Sequence, residues 1–227
     1  MRVLVLGATG GSGIEIVRQA IARGHEVTAF VRSPERLRVF ADRISVKQGK
    51  VLDRSQLRAA LTRQDAVLSA FGPRVPIAPS DKHLLRDFAS ALSQAMVEAE
   101  VKRVVVESTA FLFRNSLFPP TYLLGTLLFP SVVADATDME TILRNSELDW
   151  TLVRPPRLTS GAHTGRYRVR EGHLPRFGFS ISRANVADCF FGNAGRTHEC
   201  EEDFRSEFLK LELIWNDRFL AGSKSRT

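Results

Sequence analysis

The sequence predicts an α/β fold, a doubly wound parallel sheet in a single domain carrying an apolar loop and a C-terminal helix. Three observations carry this. A five-residue run from Arg2 to Leu6 is apolar after its first residue and ends at a glycine, as in a strand covered on both faces. Glycines follow at Gly7, Gly10 and Gly13, and Ile14, Val17 and Ile21 then recur at the spacing of one helix face. Beyond them strand-like runs alternate with helical patterns, the order that places helices on both faces of a parallel sheet.

With 227 residues the chain suffices for one well-buried α/β domain, expected over 1–200, with 201–227 as a helical tail. Two cysteines, Cys189 and Cys200, supply no disulfide framework, and neither stands at metal-ligand spacing from the five histidines, so no metal site is expected. The N-terminal apolar run is too short for a signal peptide, which predicts a cytoplasmic protein. The net charge of +7 rests on 26 arginines and six lysines spread along the chain. Arginine grips phosphates and carboxylates with two parallel hydrogen bonds, so an anionic cofactor and substrate account for part of this excess and solvated surface for the rest. There is no nucleic-acid recognition motif and no basic stripe with interleaved aromatics, and no nucleic-acid partner is expected.

The glycines have separate reasons to be glycine: a tight turn at Gly7, backbone approach to a pyrophosphate at Gly10, and close helix packing at Gly13. The free amides and positive end of the helix that follows would face the phosphates. Gly11 lies in the same turn, and Thr9 and Ser12 can add hydroxyl hydrogen bonds. The spacing is looser than the dinucleotide fingerprint Gly-x-Gly-x-x-Gly. A second strand, Glu26 to Val31, follows Gly24, which reads as a helix C-cap. It ends in Arg32, with Arg36 beyond, where an acidic residue would hold the ribose 2′-hydroxyl of NAD. A cation there accommodates the 2′-phosphate of NADP, so NADP(H) is the expected cofactor; the plainer alternative is an arginine solvated at a strand end.

Further strands are expected over Ile44 to Lys47 and Ala66 to Ala70, with a helix between them from Arg54 to Leu61. Ligands of open α/β sheets sit outside the carboxyl ends of the strands, so Val51 should border the adenine, and Phe71-Gly72 should let backbone pass close to the cofactor. A helix over 80–99 would bury Leu85, Phe88, Leu92 and Met96. The fifth strand, Arg103 to Glu107, runs into Ser108-Thr109-Ala110-Phe111. This hydroxyl pair could bind a substrate or the nicotinamide amide, or close an ordinary turn. Residues 111–133 are strongly apolar but interrupted by three prolines and a glycine, which excludes a continuous membrane helix. They are expected to form a long loop that walls a substrate pocket or makes an oligomer contact, peripheral membrane contact being a third option.

A helix over 135–145 leads to a strand, Asp149 to Val153, and to Arg154-Pro155-Pro156-Arg157, whose prolines would fix a loop along the nicotinamide. Residues 165–171 alternate like a half-exposed strand, and 182–191 read as a helix capped by Ser182 or Asn185. In the tail, Phe204, Phe208, Leu211, Trp215 and Phe219 have helical spacing, predicting an amphipathic helix docked on the domain or a partner subunit. The last residues, 222–227, are expected to be disordered. A homodimer could form through the apolar loop or this helix.

Taken together, Gly-Ala-Thr-Gly-Gly-Ser-Gly at 7–13, Val31-Arg32 with Arg36, Ser108-Thr109-Ala110-Phe111-Leu112 and Asp149-Trp-Thr-Leu-Val-Arg-Pro-Pro resemble the atypical short-chain dehydrogenase/reductases with an NAD(P)-binding Rossmann-type domain, over about residues 1–191. Within them the chain is similar to flavin reductases of the biliverdin reductase B type. The resemblance implies that Gly7, Thr9, Gly10, Ser12 and Gly13 hold the pyrophosphate and Arg32 and Arg36 the 2′-phosphate, with Val51, Gly72 and Pro155 lining the adenine and nicotinamide ends. Three positions depart from that branch: Lys50 stands in place of an aspartate, Thr109 of the active-site serine, and Arg157 of a histidine.

The tyrosine and lysine four residues apart that serve alcohol dehydrogenases of this group are missing, since Tyr122 is followed at that spacing by Thr126 and Tyr167 by Glu171. The expected activity is therefore transfer of hydride from NADPH to a flat conjugated small-molecule acceptor, a flavin, quinone or tetrapyrrole, whose protons come from solvent. Ser108 and Thr109 would orient this acceptor, Phe111 would pack against it and Arg157 would pair with its anionic groups. The rival expectation is a non-catalytic NADP-binding redox sensor resembling the NmrA-like group.

Overall fold

The computed structural model describes residues 1–73, 82–113, 120–170 and 179–192, and the backbone of 212–213 and 215–216. Six strands, β1 (Arg2–Leu6), β2 (Glu26–Val31), β3 (Ser45–Gln48), β4 (Ala66–Ser69), β5 (Arg103–Glu107) and β6 (Asp149–Val153), lie parallel in the order β3-β2-β1-β4-β5-β6. This is the Rossmann order, and its topological switch lies between β1 and β4.

The strands' period of two divides the core between the faces of the sheet. Val3, Val5, Ala29, Leu68, Val105 and Val153 point to one side, where they meet α1 (Gly11–Ala22) and α6 (Arg183–Gly192). Leu4, Leu6, Val67, Val104, Val106 and Leu152 point to the other, against α2 (Arg54–Leu61), α3 (Leu84–Glu98) and α5 (Pro130–Arg144). The predicted stripe of Leu85, Phe88, Leu92 and Met96 is buried there. A 3-10 segment, Glu35–Arg43, adds Leu37 and Phe40 to the first side.

The caps follow local chemistry. Gly24 has φ +74°, and the His25 amide donates to the Ala20 carbonyl at 3.0 Å, closing α1 as the sequence predicts. Of the two cap candidates for α6, Ser182 serves, its Oγ accepting from the Asn185 amide at 3.1 Å. The start of α3 is capped from elsewhere in the chain, because Asp135 of α5 accepts from the amides of Leu85 and Arg86 at 2.8 and 3.0 Å.

Several expectations are corrected. The apolar stretch over 111–133 is not one loop: it contains a 3-10 turn (Ala110–Leu112), α4 (Thr121–Leu128) and the start of α5, five residues ahead of the predicted Asp135. Pro120 and Pro130 stand at helix starts, where the missing amide is no loss. Residues 114–119 lie outside the described residues, as do 80 and 81 of the expected helix 80–99. α4 leaves Leu123, Leu124, Leu127 and Leu128 exposed.

β7 (Arg157–Thr159) pairs parallel with β9 (Ser180–Ser182), and of the half-exposed strand expected over 165–171, whose residue 171 lies outside the described residues, the part over 165–170 is confined to β8 (Tyr167–Arg168). Where the tail is described it is extended rather than helical. β10 (Glu212–Leu213) continues the main sheet beside β6, and β11 (Trp215–Asn216) pairs antiparallel with β8. An open sheet edge offers a whole row of backbone partners, which outweighs a local helical spacing. The rest of the predicted tail helix and the terminal residues fall outside the described residues. No helix among the described residues is long and apolar enough to cross a membrane.

Candidate functional site

The glycine turn between β1 and α1 lies at the topological switch. Gly7 has φ +72°, and a Cβ there would drive into the Ala70 carbonyl at the end of β4; one at Gly13 would drive into the carbonyl of Gly7. The Gly10 amide donates to Gly7 O and the Ile14 amide to Gly10 O, each at 2.9 Å, which closes the turn and opens the helix. Among the described residues no side chain caps this helix: Gly10, the N-cap, offers none, and the first turn holds no acidic residue. The free amides and the positive end of α1 are left for an anion.

The hydroxyls divide. Thr9 is partly exposed and makes no hydrogen bond among the described residues. Ser12 does not face the outside of the turn as expected; it is buried and donates to Glu107 Oε1 at 3.2 Å, tying α1 to the end of β5. Glu107 is partly exposed as a residue, but its Oε2 is sealed and lacks a partner among the described residues. Burial pushes the carboxyl up to about 7, against the smaller opposing effects of Ser12 and Arg183.

At the end of β2, Arg32 and Arg36 are exposed and form no ion pair among the described residues, while Gln48 Nε2 donates to the Arg32 carbonyl at 2.9 Å and fixes the backbone there. Val51 is half-buried against the α2–α3 side of the core. Phe71 packs on Phe88 with ring centroids 4.7 Å apart. Gly72 is exposed and a Cβ there would meet no atom within 4 Å, so the protein itself has no need of a glycine at this carboxyl end.

The ends of β5 and β6 are laced together, with Ser108 N donating to Val153 O at 2.7 Å and Ala110 N to Pro155 O at 3.1 Å. Ser108 Oγ donates to Glu140 Oε1 at 2.5 Å. Glu140 is itself buried on α5 and takes Arg154 through Nε at 2.9 Å and through Nη2. Ser108 thus belongs to a buried Ser–Glu–Arg network that sequence reasoning missed. Thr109 Oγ1 accepts from the Phe111 amide at 3.3 Å, capping the 3-10 turn, and among the described residues its hydroxyl hydrogen remains to be given.

Phe111 packs onto α4, stacked on Phe129 with centroids 5.7 Å apart and pressed to Gly125, where a Cβ would lie 2.6 Å from its own. Pro155 is buried and Arg157 is exposed at the start of β7. A cavity of about 170 Å³ opens beside this network, lined by Leu112, Tyr122, Thr137, Glu140, Thr141, Arg144 and Arg154. Tyr167 is no proton donor here: burial raises its phenol well above the ordinary value and it donates to Asp188 Oδ2 at 2.8 Å.

Glycines with no room for a side chain, an uncapped helix end, two exposed arginines at the next strand and open space at Gly72 fit a phosphate-bearing dinucleotide laid across the carboxyl edge. Known proteins agree. The profile of a family described as NAD(P)H-binding matches residues 7–193. The (4-alkanoyl-5-oxo-2,5-dihydrofuran-3-yl)methyl phosphate reductase of Streptomyces griseus is 29% identical over 175 residues, which cover 77% of this chain but only 54% of that enzyme. Two solved structures share the fold. A short-chain dehydrogenase/reductase from Veillonella parvula in complex with NADP has a TM-score of 0.76 at 18% identity, covering 96% of this chain and 95% of that one. ChuY, an anaerobilin reductase from Escherichia coli O157:H7, has a TM-score of 0.72 at 21% identity, covering 96% and 98%. With the glycine turn and five of the six parallel strands, β2 to β6, inside the matched region, the chain belongs to the NAD(P)H-binding family.

Proposed function

We propose that the chain is an NADPH-dependent reductase of a flat conjugated acceptor, of the flavin, quinone or tetrapyrrole kind. The observation that carries this reading is the uncapped amino end of α1 behind the glycine turn, with the exposed Arg32 and Arg36 at the neighbouring strand end. NADPH supplies the hydride. The amides of Gly11, Ser12 and Gly13 hold the pyrophosphate, and Arg32 and Arg36 grip the 2′-phosphate. Thr109, with a hydroxyl hydrogen to give at the end of β5, orients the acceptor, and Arg157 pairs with its anionic groups. Pro155, buried and fixed in φ, holds the loop between β6 and β7 along the nicotinamide. With Tyr167 committed to Asp188, protons reach the acceptor from solvent. The reductase names of the Streptomyces griseus relative and of ChuY support the same class.

Titration with NADPH and NADH, followed by NADPH oxidation against a panel of flavins and quinones, tests the reading. Tighter NADPH binding with turnover is expected. One observation favours a second reading, an NADP-binding sensor: Ser108 is spent on Glu140, which leaves a single hydroxyl at the acceptor end. Tight binding with no turnover on any acceptor would select it, and binding of neither nucleotide would defeat both.

A further inference from the structure

We propose that Arg183, at the first position of α6, grips the cofactor's pyrophosphate from above the glycine turn; this rests on the dinucleotide reading of that turn. Two anchors fix the base of the residue. Ser182 caps α6 and belongs to β9, which is paired with β7. Gln19 of α1 donates through Nε2 to the Ala184 carbonyl at 2.6 Å, while Ile16, Val17 and Ala20 of α1 share a core with Val186, Ala187 and Phe190 of α6.

From this base the side chain runs over the amino end of α1. A Cβ at Gly11 would lie 2.7 Å from Arg183 Cδ and Nε and 3.5 Å from Cζ, so the arginine occupies the space that glycine leaves open. Its guanidinium has little else to hold. Among the described residues its one polar contact is Ser160 Oγ at 3.5 Å, and it forms no ion pair there. Glu107, beneath the turn, is the acid that feels its charge.

A cation at the amino end of a helix is misplaced electrostatically, since the helix dipole puts positive potential there. The position becomes favourable once an anion stands between the guanidinium and the free amides of α1. A diphosphate is suited to it, because the planar fork of donors matches two phosphate oxygens at once. Gly11 then serves two partners, admitting the pyrophosphate to the backbone on one side and the arginine stem on the other.

The test uses the full chain and two probes, NADPH and 2′-AMP, the second carrying the 2′-phosphate but no pyrophosphate. Arg183→Gln should weaken NADPH about tenfold, the scale of one charge-assisted hydrogen bond, and leave 2′-AMP unchanged. Arg183→Lys should recover part of the loss, keeping the charge without the fork. Arg32→Gln should weaken both probes. Retained 2′-AMP binding shows that Arg183→Gln is folded. If the variant binds NADPH as the wild type does, or loses both probes equally, this assignment falls alone; if the wild type binds no NADPH, the dinucleotide reading falls with it.

Discussion

Ser12 and Glu107 stand 95 residues apart in the chain and share a hydrogen bond of 3.2 Å, from Ser12 Oγ to Glu107 Oε1. It fastens the anion-binding end of α1 to the end of β5 and leaves Glu107 Oε2 sealed without a partner among the described residues. A carboxyl raised by burial to about 7, from an ordinary 4.5, is neutral in the folded chain at pH values where the unfolded chain has already ionised. Between about 4.5 and 7 the folded state therefore binds more protons, and this group's contribution to stability declines as pH rises through that window. Glu107→Gln lacks the slope. Urea midpoints should show the variant gaining on the wild type between pH 5 and pH 8, whereas a pH-independent difference would mean that Glu107 titrates normally. Because the ionised form lies under the phosphates, NADPH affinity should also weaken through pH 7 in the wild type and less in the variant.

The glycines should separate by what surrounds them. Gly7→Ala forces a side chain at φ +72° into the Ala70 carbonyl and should cost about 3–5 kcal/mol or prevent folding. Gly24→Ala has the same sign of φ but open space, and should cost about 1–2 kcal/mol. Gly72→Ala, with neither strain nor neighbours, should alter stability by less than about 0.5 kcal/mol yet weaken NADPH. Thermal or urea unfolding measures the first two; unchanged NADPH affinity in the third would show that the cofactor does not pass Gly72.

The hydroxyl pair at the end of β5 should split between stability and turnover. Ser108→Ala takes a donor from the buried Glu140 and should destabilise by about 1–3 kcal/mol. Arg154→Met takes the nearer cation from that buried carboxylate, leaving Arg144 Nη2 at 3.5 Å, and should cost about 3 kcal/mol. Thr109→Ala removes only the cap of a short turn, and should lower turnover while sparing both fold and NADPH affinity. Wild-type turnover in Thr109→Ala would remove that residue from acceptor binding.

These contrasts follow what a sequence can carry. The six parallel strands and the glycine turn are legible because their signals are local: apolar runs ending at glycine, then a helical spacing. α4 is not, because in an apolar segment Pro120 and Pro130 look like breakers, whereas each stands at a helix start. Nor are the extended pieces at 212–213 and 215–216, whose partners, β6 and β8, are distant in the chain. At the site, the positions of Gly7 in the turn and Arg32 beyond β2 could be named because both are fixed by where a strand ends. Glu107, Glu140, Arg154 and Arg183 could not, since each takes its meaning from a neighbour that folding brings to it.

Arg32 and Arg36 provide the sharpest test of cofactor choice, because both are exposed without ion-pair partners among the described residues. Replacing either by serine should leave stability within about 0.5 kcal/mol of wild type. A charge-assisted contact to a phosphate is worth about 1.5–3 kcal/mol, so NADPH affinity should fall roughly tenfold to a hundredfold in Arg32→Ser. NADH, which has no 2′-phosphate, should bind as before. Since the contact is between exposed charges, the wild-type preference for NADPH should itself shrink as salt rises and the Debye length shortens, while the serine variants should show a flatter dependence. Nucleotide titrations at low and high ionic strength decide it. If the double serine variant keeps the wild-type ratio of NADPH to NADH affinity, the end of β2 does not read the 2′-phosphate, and the selectivity must come from another part of the carboxyl edge.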